Sequence, residues 1–191
     1  MTFSHLSKTP GLAVALCVLS LGGPAPAQSA CDAALTQGNI AQTSATHATI
    51  QTSILIDATP AEVWKVLTNF GAMSAWSTTT LQDMTGDIRD GGQVEITFLF
   101  GQDESGAPIV NKIPHQLMLQ EGVSFGWSDP FPTEIGGGHD NHAYTVQSCG
   151  DKTLFLQTDE IVDNPYAANF VAQLLPLYQT FNAELKAAVE S

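Results

Sequence analysis

From Ala48 the chain alternates. In ATIQTSILID, Ala48, Ile50, Thr52, Ile54 and Ile56 take one parity, and Thr49, Gln51, Ser53, Leu55 and Asp57 take the other. A period of two predicts a strand. The pattern changes at ATPAEVWKVLTNF. There Thr59 can cap a helix, Pro60 suits its first position, and Glu62 completes a capping box. Val63, Trp64, Val66, Leu67 and Phe70 supply its apolar stripe. A second short helix is predicted over FGAMSAWS.

The middle of the chain returns to the period of two. STTTLQDM and GQVEITFLF read as strands separated by the turn-rich TGDIRDGG, with Val94, Ile96, Phe98 and Phe100 on one face of the second. IVNKIPHQLML is another strand, and Pro114 places it at an edge or a bulge. GVSFGWS sets Val123, Phe125 and Trp127 on one face. After the loop DPFPTEIGGG, HAYTVQS and TLFLQTDEIV read as a hairpin turning at CGDK. The C-terminus is helical. Phe170, Leu174, Leu177, Tyr178, Phe181, Leu185 and Val189 recur at spacings of three and four, and Pro176 inside the run predicts a kink. A strand, two short helices, about six antiparallel strands and one long helix make an α+β domain.

The N-terminus adds a leader. Lys8 precedes the uncharged run GLAVALCVLSL, and Ala25-Pro26-Ala27 offers a cleavage site. The run is about half of the ~20 residues a membrane-spanning helix requires. Residues 1–27 are therefore expected to be a cleaved signal peptide, 28–45 a flexible arm of small polar residues, and 46–191 the domain. The expected destination is periplasmic or secreted, with no stable membrane span after cleavage.

Of six basic and nineteen acidic side chains, Lys8 alone precedes residue 28, which leaves five basic against nineteen acidic. That balance argues against nucleic acid and anionic membrane surfaces as partners. Cys31 and Cys149 remain once Cys17 leaves with the leader. In an oxidising compartment a disulfide between them would staple the arm to the domain. Sequence leaves that pairing open. An alternative lipidates Cys31, but Gln28 stands where such a motif wants a Leu-like residue.

The order of elements, with ILIDATPAEVWKVLTNFGAMSAWS near its start, resembles the START-like or SRPBCC superfamily, in particular its polyketide cyclase/dehydrase group. The residues that carry the resemblance are Ile54, Ile56, Pro60, Val63, Trp64, Val66, Leu67, Phe70 and Trp76, then His142 with Tyr144, Gly150 with Thr153, QTDEIVD, and the C-terminal FNAELKAAVE. The resemblance implies a helix-grip fold, in which a curved seven-stranded antiparallel sheet wraps a long C-terminal helix. It implies a cavity between them for a hydrophobic or amphipathic molecule such as a lipid or polyketide. Some members of the group catalyse cyclisations or dehydrations there. The leader, the possible disulfide, Pro114 and Pro176 depart from the usual pattern.

Alternation nominates the cavity wall. His142 and Tyr144 share a face of one strand, Phe155, Gln157 and Asp159 a face of its partner. With His115, Trp76, Phe98, Phe100, Phe125, Trp127, Phe170, Leu174 and Phe181, they make an apolar lining carrying a few polar groups. A cyclase or dehydratase would use His142 and Asp159 as its acid/base pair; a binding protein would use them to orient a ligand. No cofactor is called for. In GGGHDNHAY, His139, Asp140 and His142 offer metal-type donors, but no helical face aligns them, and no metal is expected. A glycine cradle for phosphate would open a helix, whereas these glycines precede a strand. A third reading gives the domain a vestigial cavity and a protein partner.

Overall fold

A computed structural model of the chain describes residues 31–32 and 34–191. The leader expected over 1–27 lies outside the described residues. The strands are β1 (Asn39–Ser44), β2 (His47–Ile56), β3 (Thr80–Gly86), β4 (Gln93–Gln102), β5 (Pro108–Gln116), β6 (Met118–Gln120), β7 (Ser124–Pro130), β8 (His139–Cys149) and β9 (Lys152–Val162). The helices are α1 (Pro60–Leu67) and α2 (Ala167–Val189), with 3-10 turns at Phe70–Ala75 and Thr133–Ile135.

The start of α1 follows its sequence signals. Thr59 accepts from the Glu62 backbone, the Glu62 carboxylate accepts from the Thr59 backbone, and Pro60 occupies the first turn. Val63, Trp64 and Leu67 face inward and are buried. The second expected helix is the 3-10 turn, which buries Phe70 and Met73. α2 is one helix running through Pro176, which removes a single backbone donor from it. It buries Val171, Tyr178, Phe181, Asn182 and Leu185 against the sheet.

The fold is a helix grip, with the sheet divided differently from expectation. Strands β1-β2-β9-β8-β7-β6 form one antiparallel sheet and β3-β4-β5 another. β5 and β6 are two halves of the single strand predicted over IVNKIPHQLML. The chain turns between them at Leu117, whose backbone N–H and C=O bond to Gly92 and Gly91 in the β3–β4 hairpin. β5 then pairs with β4, and β6 with β7.

The ninth strand, β1, comes from the arm expected to be flexible. Its side chains are all exposed, so no alternation betrays it. Backbone pairing such as Ile40 opposite Ile50 holds it to β2. Just before it, Cys31 and Cys149 are joined by a disulfide, with Cα atoms 6.0 Å apart. They pack with Leu154, and against Leu55 and Leu156, on the sheet face away from α2. Ser53 ties this segment further, its hydroxyl donating to the Ala34 carbonyl at 2.9 Å.

Candidate functional site

The face of the sheet that meets α2 is fixed by the β8–β9 register. His142 lies opposite Asp159, Tyr144 opposite Gln157, and Val146 opposite Phe155. Asp140 lies opposite Ile161, which makes it the diagonal neighbour of Asp159 on the same face. Pairing β7 with β8 adds Trp127 beside His142. The two backbones run close there: a Cβ on Gly126 would fall 2.0 Å from the His142 carbonyl oxygen, so no larger residue fits.

The polar side chains of this face form one connected chain. Tyr178 donates from α2 to Asp159 Oδ2 at 2.7 Å and lies 3.0 Å from His142 Nδ1. Its single proton is committed to Asp159, so it accepts from His142 Nδ1–H. That leaves His142 Nε2 as the acceptor for the Gln157 amide at 3.2 Å. The run is therefore Gln157 to His142 to Tyr178 to Asp159, each donating to the next. Trp127 Nε1 donates to Asp140 Oδ2 at 3.0 Å beside it.

Burial sets the protonation of these groups. His142 is driven down to about 4, mainly by loss of solvent, with His115 adding to the shift and Asp140 opposing it. It is neutral at physiological pH. Asp159 is pushed well above the usual carboxylate range, first by burial and then by the negative charge and hydrogen bonding of Asp140; the Tyr178 hydrogen bond opposes this. Tyr178 and Tyr144 are pushed up by burial and by the Asp159 charge, so both keep their phenol protons.

Around the polar chain the interior is aromatic. Trp127 stacks on His142 with ring centroids 4.6 Å apart, and lies 4.8 Å from the His115 ring at a shallow angle. Phe98 meets both Trp127 and His115 edge-on and stacks on Phe100. Phe125 stacks on Tyr144, Phe181 packs on Tyr144 and Phe155, and Trp76 closes on Phe181 at 5.3 Å. His115 also reaches Asp129 on β7, with its Nδ1 2.5 Å from the carboxylate.

The structure brings together most of the residues nominated from sequence and separates two. Phe170 and Leu174 pack instead in a second cluster around Ala48, Ile50, Ile161 and Val171, where Phe170 stacks on Phe131. Two polar residues of this face, Tyr178 in the chain and Asp140 beside it, are absent from the cavity wall that alternation nominates. Tyr178 belongs by spacing to the apolar stripe of the helix, yet a buried phenol requires a partner. The predicted strand HAYTVQS starts at His142 and so leaves Asp140 outside it; β8 begins at His139, and alternation carried back two residues from His142 reaches Asp140.

The expected open cavity is filled. Phe125, Trp127, Tyr144, Phe155 and Phe181 are all at most 1% exposed and occupy the space between sheet and helix. Two surface depressions, of about 200 and 270 Å³, are lined respectively from β6–β8 and from β1, β2, β8 and β9; neither opens between sheet and helix. Several buried polar atoms in the interior nonetheless have no hydrogen-bond partner: Tyr144 Oη, Thr80 Oγ1, Gln157 Oε1, Asn182 Oδ1 and His115 Nε2.

The glycine loop is anchored, not free. Asn164, fully buried, donates its amide to the carbonyls of Ile135 and Gly137 at 3.0 and 2.7 Å. Gly138 has a positive φ of 84°, and a Cβ there would meet the Val162 carbonyl at 2.2 Å. His139 is exposed and stands apart from the polar chain. Among the described residues no group of three or more His, Cys, Asp or Glu side chains is placed to hold a metal ion.

Comparison with known proteins agrees with this geometry. The family described as "Polyketide cyclase / dehydrase and lipid transport" matches residues 47–107. The di-domain ARO/CYC BexL from the BE-7585A biosynthetic pathway aligns with a TM-score of 0.58 at 9% identity, over 78% of this chain and 52% of that one. This chain thus spans about half of that di-domain protein. The Zhui aromatase/cyclase from Streptomyces sp. R1128 aligns with a TM-score of 0.58 at 13% identity, over 75% of this chain and 94% of that one. A protein from Chromobacterium violaceum gives 0.55 at 18% identity, over 75% and 98%. No curated protein matches the chain in sequence. The chain has the helix-grip fold of these aromatase/cyclase structures, and its residues 47–107 are similar to the polyketide cyclase/dehydrase family.

Proposed function

We propose that this is an exported protein that holds a hydrophobic or amphipathic small molecule, lipid or polyketide-like, between its sheet and α2. One observation carries the reading. Tyr144 Oη, Gln157 Oε1, Asn182 Oδ1 and Thr80 Oγ1 are buried in an aromatic interior without partners. Each such atom costs about 1–3 kcal/mol if left unpaired. A ligand bearing oxygen substituents on an apolar body would satisfy them. Because the aromatic side chains fill the space, binding must displace some of them; the partly exposed Trp76 and Phe100 sit at its edge. The disulfide at Cys31–Cys149 supports export to an oxidising compartment. No described helix is long and apolar enough to cross a membrane.

The test is native mass spectrometry of the mildly purified full chain, followed by titration with fatty acids and with a planar polyketide-like probe. The reading predicts a bound apolar species, or a change in tryptophan emission as Trp127 and Trp76 are displaced. Neither a bound mass nor an emission change with either probe would overturn it.

A second reading has a specific observation in its favour. A neutral His142 and an Asp159 whose proton affinity is raised by burial are joined through Tyr178, which supplies a candidate base and a candidate acid for a cyclisation or dehydration. His142→Gln and Asp159→Asn would then abolish turnover of a polyketide-like substrate while leaving binding nearly intact. Unchanged turnover would remove both residues from the chemistry.

A further inference from the structure

We propose that the acid of this site is not Asp159 alone but a pair, Asp140 and Asp159, which hold one proton between them, with Asp140 as the positioning residue. The two are diagonal neighbours on the inward face of the β8–β9 ladder. Each carboxyl has one oxygen bound to a donor: Asp140 Oδ2 accepts from Trp127 Nε1, and Asp159 Oδ2 accepts from Tyr178 Oη. In each the other oxygen, Oδ1, is buried and unpartnered. Two ionised carboxylates cannot donate to one another, which is why both Oδ1 atoms are left over. A single proton on Asp159 turns the same contact into a carboxyl–carboxylate hydrogen bond with Asp140.

No lysine or arginine relieves the pair. Of the five basic side chains in the described residues, Arg89 pairs with Asp87, Lys112 with Glu95, Lys152 with Asp57 and Lys186 with Glu190, while Lys65 lies in the last turn of α1. The groups facing Asp159 are Asp140, His142 and Tyr144 from β8 and Tyr178 from α2; Asp129 of β7 lies opposite Asp140 and is itself bonded to His115 of β5. β2 presents Ile50 opposite it. His142 is neutral, both tyrosines are protonated phenols and His115 is engaged by Asp129, so a shared proton neutralises the pair where no dedicated counter-charge does.

Trp127 gives the inference its discriminating test. Its N–H stabilises charge on Asp140, so its loss should make the pair keep its proton to higher pH. Replacing Asp140 by Asn removes the like charge and should make Asp159 release its proton at lower pH. A merely structural role would not move the two variants in opposite directions. The inference rests on the acid–base reading above, but the measurement uses the full chain with no ligand, so the failure of one is separable from failure of the other.

The experiment is infrared spectroscopy of the protonated-carboxyl carbonyl stretch across pH, with circular dichroism confirming the fold. The expected result is one neutral carboxyl band in the wild type at pH 7, absent in Asp159→Asn. In Asp140→Asn its proton affinity should fall at least about tenfold; in Trp127→Phe it should rise. Should Asp140→Asn fail to fold, Trp127→Phe, which keeps an aromatic ring in the core, decides. Absence of the band in the wild type, or an unchanged titration in whichever variants fold, overturns the inference.

Discussion

Tyr178 on the C-terminal helix donates to Asp159 on β9 at 2.7 Å, within an interior from which both side chains exclude solvent. Helix and sheet are thus joined by a polar bond in the middle of an apolar layer. Removing the phenol oxygen strands two buried groups, Asp159 Oδ2 and His142 Nδ1. Tyr178→Phe should therefore destabilise the fold by about 1–3 kcal/mol despite its near-identical shape. Urea denaturation of the two proteins measures this, and a variant as stable as the wild type would show that the bond contributes nothing.

His142 imposes a pH dependence of one sign. The unfolded chain takes up a proton near the ordinary histidine value of 6.5, while the folded chain resists until about 4. The contribution is complete above 6.5 and is lost as pH falls toward 4, by about 3 kcal/mol over that window. His142→Gln should abolish this slope. Denaturant midpoints collected between pH 4 and 7 provide the check.

Asp159 imposes the opposite sign. Burial and Asp140 make it hold its proton in the fold to a pH well above the ordinary carboxylate range, whereas the unfolded chain releases it near pH 4. Above that pH the unfolded chain has released a proton that the folded chain retains. Its contribution falls by about 1.4 kcal/mol per pH unit until Asp159 itself ionises. Asp159→Asn should consequently gain stability relative to the wild type as pH rises from 4. The wild type alone would hide this, because His142 and Asp159 pull against one another over much of the same range.

The disulfide closes a long loop. Cys31 and Cys149 are 118 residues apart in sequence. On a chain-entropy argument a loop of that size stabilises by about 4–5 kcal/mol. Replacing both cysteines by alanine should lower the thermal midpoint by roughly 10–20 °C and leave β1 more open to proteolysis. Scanning calorimetry with limited digestion would show both effects.

Much of this was legible in the chain. The capping box at Thr59, the alternation of β2 and the β8–β9 hairpin could be read because each is local. The face shared by His142, Tyr144, Gln157 and Asp159 followed from counting residues along two strands. Three features were not local and escaped. β1 carries no apolar alternation, since backbone pairing alone places it. The turn at Leu117 depends on bonds to Gly91 and Gly92 in another hairpin. The filling of the interior by Trp127, Tyr144 and Phe181 is a matter of volume, which no pattern of residue types encodes. Asp140 was within reach, and a strand start misplaced by three residues hid it.

The break at Leu117 has a mechanical consequence. Ahead of it β5 pairs with β4 and β7 with β8, and the ladder between β5 and β7 is missing. The body is a clamshell with a seam beside Phe98 and Trp127, and the His115–Asp129 bond crosses that seam like a clasp. Parting the two shells there would expose the aromatic interior without unzipping any strand pair, because that line is one the backbone has already left unsewn.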